Sequence, residues 1–310
     1  MKKRTITIQE VANHFGLVWM SGDKESMKRE VHEVSCNRPG LELACFFDYP
    51  RLSRIVLIGN KETAYIKTRT REQIIESFNF IFADECPGCI VCSDNELDST
   101  ILELAREKNF PVFRSNRRTN DLSIDLVTYL SEELAPFTSI HGTLMDVYST
   151  GVIIVGESGI GKSETAMELI KKGHILVSDD RVDISLVRNK LIGRSPELLR
   201  NMIEVRGIGI IDVQRMFGIN SLVDHKEIDL IIKLVSMDDN VDMERLGAIT
   251  NRQDILGINV PVLSIPVNGA RAIGEIIEVA VTNFKLKRMG YDSTYVFEER
   301  FNEIMSKGDY

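Results

Sequence analysis

Nowhere in the 310 residues does an apolar run approach the roughly 20 needed to cross a bilayer. The basic start, Met1-Lys2-Lys3-Arg4, leads into alternating polar and apolar residues rather than the core of a signal peptide. These absences predict a cytoplasmic protein without membrane contact. Cysteine is scarce: five residues supply no disulfide framework, and a chain this long can bury a core without one. An excess of positive charge is also missing. The 46 acidic and 38 basic residues leave a net charge of -8, which offers nucleic acid no general attraction. Internal repeats, low-complexity tracts and heptads are absent too, which excludes solenoids and coiled coils. What remains, 43% hydrophobic and 27% charged, is the composition of an ordinary globular protein, and the length predicts two domains.

Three of the cysteines, Cys86, Cys89 and Cys92, form C-P-G-C-I-V-C. Paired thiolates at this spacing can converge on a metal, but no nearby His or Cys pair completes a tetrahedral set. The run from Cys89 to Cys92 is apolar and predicts a buried strand, in which cysteine serves as a small hydrophobe.

Apolar periodicity predicts helices over 8–15, 71–80, 96–108 and 121–134 and strands over 54–59, 88–92 and 111–114. This rhythm is that of a small α/β domain spanning 1–134. Pro136 then interrupts helical continuation and marks the boundary to a second domain, 135–310. There the pattern predicts strands over 139–148, 151–155, 175–178, 182–187, 229–235 and 260–266, a helix over 162–172, and closing helices over 272–289 and 294–305.

Between the strand ending at Val155 and the next helix lies Gly156-Glu157-Ser158-Gly159-Ile160-Gly161-Lys162-Ser163, which fits the phosphate-binding loop without exception. Glycines let the backbone aim several N–H groups at phosphate oxygens, and the helix beginning there adds the positive end of its dipole. Lys162 is expected at the β- and γ-phosphates of a nucleoside triphosphate, with the Ser163 hydroxyl on Mg2+. Asp179 and Asp180 follow the strand returning from that helix, at the sheet edge where such folds bind ligands. One is expected to serve the metal and the other to take a proton from an attacking hydroxyl; the residues alone leave the assignment open. The stretch Ile203-Glu204-Val205-Arg206-Gly207-Ile208-Gly209-Ile210-Ile211-Asp212 adds a carboxylate that could complete a metal shell and an arginine that could clamp phosphate.

Together these motifs resemble the HPr kinase/phosphorylase family, bifunctional enzymes of bacterial carbon regulation. The resemblance runs through G-E-S-G-I-G-K-S-E-T-A, S-D-D-R-V, I-E-V-R-G-I-G-I-I-D-V and P-V-N-G-A-R in order. An N-terminal stretch, S-C-N-R-P-G-L-E-L-A, is similar to that family's S-x-R-P-G-L-E-L-A. It implies ATP-dependent phosphorylation of a serine on HPr, the phosphocarrier of the sugar phosphotransferase system, and removal of the group by inorganic phosphate with release of pyrophosphate. It further implies a C-terminal domain like the nucleotide core of phosphoenolpyruvate carboxykinase, a homohexamer, and fructose 1,6-bisphosphate as effector. Carried over, Lys162 contacts phosphate, Ser163 and Glu204 bind Mg2+ with Asp179 beside them, and Asp180 is the proton acceptor. His141 and Arg245 fall at the remaining catalytic positions, the latter downstream of Asp238-Asp239. The block from Ile203 to Asp212 serves both reactions, and Pro266-Val267-Asn268-Gly269-Ala270-Arg271 serves dephosphorylation. Here the chain departs from the usual P-V-R-P-G-R, losing a positive charge and a turn-fixing proline, and it carries G-I-I-D-V for the usual G-I-I-N-V. A P-loop kinase of small metabolites and a nucleotide-sensing module without transfer chemistry are the competing readings.

Overall fold

The computed structural model describes residues 5–48, 51–236, 251–267 and 272–307. The chain divides into two compact units, Met1–Pro136 and Phe137–Tyr310.

The first unit opens with β1 (Ile6–Thr7), α1 (Ile8–Phe15), β2 (Val18–Ser21) and β3 (Glu30–Val31). It continues through β4 (Val56–Ile58), α2 (Asn60–Ile66), α3 (Arg71–Ile81), β5 (Cys89–Val91), α4 (Ser99–Glu107), β6 (Val112–Arg114) and α5 (Thr119–Glu133). Local sequence accounts for the helix ends. Thr7 Oγ1 accepts from the Glu10 amide while Glu10 Oε2 accepts from the Thr7 amide, a reciprocal cap, and Gly16 closes α1 in the left-handed conformation. Asp98 caps α4 by accepting from the Thr100 amide, so this helix starts at Ser99 rather than at Glu96 as its apolar spacing predicts. Strands β4, β5 and β6 lie side by side and parallel, with β2 antiparallel on the outer side of β6. Both faces of this sheet are covered: Ile66, Phe78 and Leu104 from α2 to α4 pack on one side, Val11 and Leu122, Leu126 and Leu130 from α1 and α5 on the other. Cys89 and Cys92 are fully buried on opposite faces, which explains an unbroken apolar run in place of alternation. Burial pushes the Cys86 thiol up to about 12 and that of Cys92 to about 11, away from the reactive thiolate.

In the second unit, β7 (Phe137–His141), β8 (Thr143–Val147) and β9 (Thr150–Val155) precede α6 (Lys162–Lys171), β10 (Ile175–Ser178), β11 (Arg181–Val187) and β12 (Lys190–Arg194). A hairpin, β13 (Met202–Val205) and β14 (Gly209–Asp212), leads to α7 (Val213–Phe217) and β15 (His225–Glu227). Next come β16 (Leu230–Ser236), β17 (Asn251–Ile255), β18 (Ile258–Val267), α8 (Ile273–Arg288) and α9 (Ser293–Lys307). A six-stranded sheet, β10-β8-β9-β16-β18-β17, forms the middle layer, and a four-stranded sheet, β15-β12-β11-β7, lies on one face. Period-two alternation sends Leu144 and Ile153 toward the second sheet, and Met145, Val152 and Ile154 toward α6 and α8.

The sequence predicts one strand over 139–148; the structure makes two. The chain breaks at Gly142, where a Cβ would fall 2.7 Å from the Ile154 carbonyl oxygen, and β7 joins the four-stranded sheet while β8 joins the six-stranded one. The six-stranded sheet is also mixed rather than parallel. Strands β9, β16 and β18 are parallel, while β8 runs antiparallel to both β9 and β10. Strand β10 therefore points the same way as β9 although a reversed strand separates them, and the turns that follow the two emerge at one edge.

Candidate active site

Site residues enter from several connections of the C-terminal unit. The loop after β9 is held open by its glycines: Gly159 and Gly161 stand at φ +81° and +105°, a region costly for any side-chain-bearing residue. Gly161 leads α6 without a side-chain cap, so the first-turn amides of that helix remain available to an anion. Ile160 anchors the loop by packing against the core beneath. Lys162 Nζ donates to the carbonyl oxygens of Gly156 and Glu157, both at 3.0 Å, so the ammonium is folded over the loop it would share with phosphate.

The turn between β10 and β11 carries the paired aspartates and separates them. Asp179 is 3% exposed. Its Oδ1 accepts from Thr143 Oγ1 at 2.6 Å and its Oδ2 from Ser163 Oγ at 2.9 Å, so two hydroxyls fix both carboxylate oxygens. Asp180 adopts φ +64°, a left-handed conformation Asp tolerates better than most residues, and its side chain turns outward with 71% exposure. Backbone bonds hold that reversal: the Arg181 amide donates to the Asp179 carbonyl at 2.8 Å and the Gly142 amide to the Asp180 carbonyl at 3.0 Å. His141, opposite Arg181 in the β7–β11 register, places Nδ1 3.2 Å from the Asp180 carbonyl oxygen and 3.7 Å from its Oδ1.

The third contribution is the β13–β14 hairpin, which sorts the residues of its motif. Ile203 is buried and Val205 and Ile211 pack on the same core. Glu204, Arg206, Gly207, Ile208 and Gly209 face a cavity of about 550 Å³ shared with Ser158, Lys162, Ser163, Asp179 and Asp180. Arg206 lies against the phosphate loop, its Nη2 standing 2.6 Å from where a Cβ on Gly159 would sit. Ile210 is exposed, and Asp212 turns to the next element, where its Oδ1 accepts from the Arg215 amide and caps α7. Pro266 and Val267 end β18, which runs parallel to β16 and through it to β9, so they reach the same sheet edge. Arg245, with Asp238 and Asp239, and Asn268, Gly269, Ala270 and Arg271 lie outside the described residues.

Thr143 is the site residue the sequence reading lacks. No motif marks a threonine at the start of a strand, and only the strand pairing brings its hydroxyl to Asp179. Among the described residues, no three His, Cys, Asp or Glu side chains form a preformed metal cluster. The Ser163 hydroxyl and Asp179 carboxylate are hard oxygen donors beside the phosphate cradle, a set that fits Mg2+, which is commonly held by one or two carboxylates together with substrate phosphates.

Comparison with known proteins meets this geometry at both ends of the chain. The family model described as "HPr Serine kinase N terminus" matches residues 6–130, and "HPr Serine kinase C-terminal domain" matches 132–301. An HPr kinase/phosphorylase of Caldicellulosiruptor bescii is 40% identical over 304 residues, covering 98% of each chain. That of Streptococcus thermophilus is 38% identical over the same span and share. A solved structure, the Hpr(Ser) kinase/phosphatase from Coxiella burnetii, is 38% identical and covers 52% of this chain and 99% of its own, with a TM-score of 0.46. With both units matched in order and relatives aligned from end to end, the chain belongs to the HPr kinase/phosphorylase family.

Proposed function

We propose that this chain transfers the γ-phosphoryl group of ATP to a serine hydroxyl of HPr and, in the opposite direction, removes it with inorganic phosphate to give pyrophosphate. The observation that carries the mechanism is the division of the aspartates: Asp179 is buried with both oxygens engaged, while Asp180 is exposed beside the phosphate loop. Mg2+, held by Ser163 and Asp179 with Glu204 across the cavity, would neutralise charge on the β- and γ-phosphoryl oxygens.

The protein's own groups then divide the work. Loop amides and Lys162 seat the phosphates, and Arg206, already against Gly159, is placed to contact the transferred group. Asp180 accepts the serine proton as the serine oxygen bonds to phosphorus and the bond to the β-bridging oxygen breaks, releasing ADP. In reverse, a phosphate oxygen attacks the phosphoserine phosphorus, and the leaving serine oxygen takes its proton back from Asp180. The serine oxygen stands at the same place whether it attacks or leaves, so one carboxylate can serve both reactions. His141, whose Nδ1 lies 3.2 Å from the Asp180 carbonyl oxygen, helps to hold that turn. Arg245 and the segment from Pro266 to Arg271 belong to the same proposal as a catalytic arginine and as the part serving dephosphorylation, on family resemblance. So do homohexameric assembly, response to fructose 1,6-bisphosphate and a cytoplasmic location; no helix among the described residues is long and apolar enough to cross a membrane.

Incubation with HPr, Mg2+ and ATP followed by intact-mass measurement tests the reading. HPr should gain one phosphoryl group and lose it on addition of inorganic phosphate, as pyrophosphate appears. Transfer only to small metabolites would overturn it in favour of a metabolite kinase.

A further inference from the structure

The N-terminal unit has a crevice of its own. The connections after β4 and β5 run to α2, α3 and α4 on one face of the sheet, whereas the connection after β6 runs to α5 on the other. Adjacent loops thus leave the carboxyl ends of parallel strands in opposite directions and cannot close over them, the circumstance in which open α/β sheets bind ligands. A cavity of about 590 Å³ occupies this place, reached by Lys61 after β4, Ser93 after β5, and Asn116 and Arg118 after β6.

Its charge runs against that of the chain. Arg38, Lys61 and Arg118 line it with Asp121 as the sole acid, although acids outnumber bases in the whole sequence by 46 to 38. Arg38 is held rather than mobile: its Nε and Nη2 donate to Glu62 Oε1 at 3.2 and 2.9 Å, and the second oxygen of that buried carboxylate accepts from the Gly59 amide at 2.9 Å. The side chains of Lys61 and Arg118 have no hydrogen-bond or ion-pair partner among the described residues. Glu62 answers the charge of Arg38, which leaves Lys61 and Arg118 as two cations with only Asp121 beside them in the lining, and like charges so placed favour an anion between them. The first turn of α5, which opens without a side-chain cap, borders the same space. Arg38 is also the arginine of S-C-N-R-P-G-L-E-L-A, a stretch for which the catalytic chemistry has no use.

We propose that this cavity binds a small phosphorylated metabolite, its phosphate held by Arg38, Lys61 and Arg118 and the rest of the molecule by the amide and hydroxyl groups around them. The inference is independent of the proposed transfer reaction. Its test uses the full-length chain carrying Lys162→Ala, so that the phosphate loop does not dominate the signal, and calorimetric titration with glycerol 3-phosphate. Saturable binding is expected, weakened by at least about tenfold (~1.4 kcal/mol) when Lys61→Ala and Arg118→Ala are added, with the melting temperature unchanged. Absence of saturable binding, or equal affinity after the two substitutions, would overturn the proposal. Parallel titrations with citrate and inorganic phosphate test the ligand class: tighter binding of either than of glycerol 3-phosphate would reject a phosphate ester as the ligand.

Discussion

The carboxyl edge of the C-terminal sheet and that of the N-terminal sheet both hold cavities suited to anions, but they are built from different materials. In the C-terminal unit the cradle is backbone. Glycines at φ +81° and +105° expose amides, and charged side chains are added around a shape that the main chain already makes. In the N-terminal unit the backbone contributes little beyond one helix end. The cavity is made by cations from separate connections, one of them locked by a buried glutamate. A backbone cradle can approach a phosphate closely and suits chemistry, because its donors do not have to be reordered when charge develops. A side-chain cradle is adjustable and suits recognition.

Substitutions at the two edges should therefore fail in different ways. The largest effect is expected at Asp180: Asp180→Asn should lower serine transfer by about 10²- to 10⁴-fold while leaving ATP affinity within about twofold, as steady-state kinetics and nucleotide titration would show. Full activity in that variant would remove Asp180 as the base. Asp179→Ala should instead be felt in folding, because it strips the fully buried Thr143 hydroxyl of its acceptor; a loss of about 1–3 kcal/mol in denaturant unfolding is expected, with weakened magnesium dependence. Unchanged stability would show that the buried contact carries no weight.

A smaller effect distinguishes both edges from the body of the C-terminal unit. Hydrogen bonds from Lys172 first, and then from His174 and Tyr148, lower the Glu278 carboxyl from 4.5 to about 2. Since the folded value lies below the unfolded one, this contribution is complete above 4.5 and disappears as pH falls toward about 2. Glu278→Gln should thus lower the melting temperature at neutral pH, and the gap from the parent protein should close across that acid window. A constant gap would assign the loss to packing instead. The smallest effect is expected at Lys61, which is exposed and unpartnered: Lys61→Ala should change stability by less than about 0.5 kcal/mol. A larger loss would mean that Lys61 supports the fold and is not held in reserve for a ligand.

Much of the C-terminal site was legible because its chemistry is local. Gly156 to Ser163 presents consecutive amides, so its requirement is written as consecutive residues between an apolar strand and a helix. The S-D-D-R-V step could likewise be placed at the right edge, although the sheet between the two turns proved mixed. Which aspartate is the inner one was not legible. That depends on a left-handed turn at Asp180 and on a threonine delivered by β8, a strand whose neighbour β7 departs into another sheet at Gly142. The I-E-V-R-G-I-G-I-I-D stretch was visible as a motif but not as a hairpin that buries Ile203, turns Arg206 onto the phosphate loop and uses Asp212 as a cap.

Sequence by itself determined the α/β character of both units, the phosphate loop, and the family, since each rests on short-range periodicity or on contiguous residues. Tertiary structure alone decided which of Asp179 and Asp180 is buried and which exposed, the pairing of Thr143 with Asp179, and the cationic crevice around Arg38. These depend on contacts between residues far apart in the chain, and such contacts are fixed by strand order and by the face to which each connection turns, neither of which leaves a local pattern.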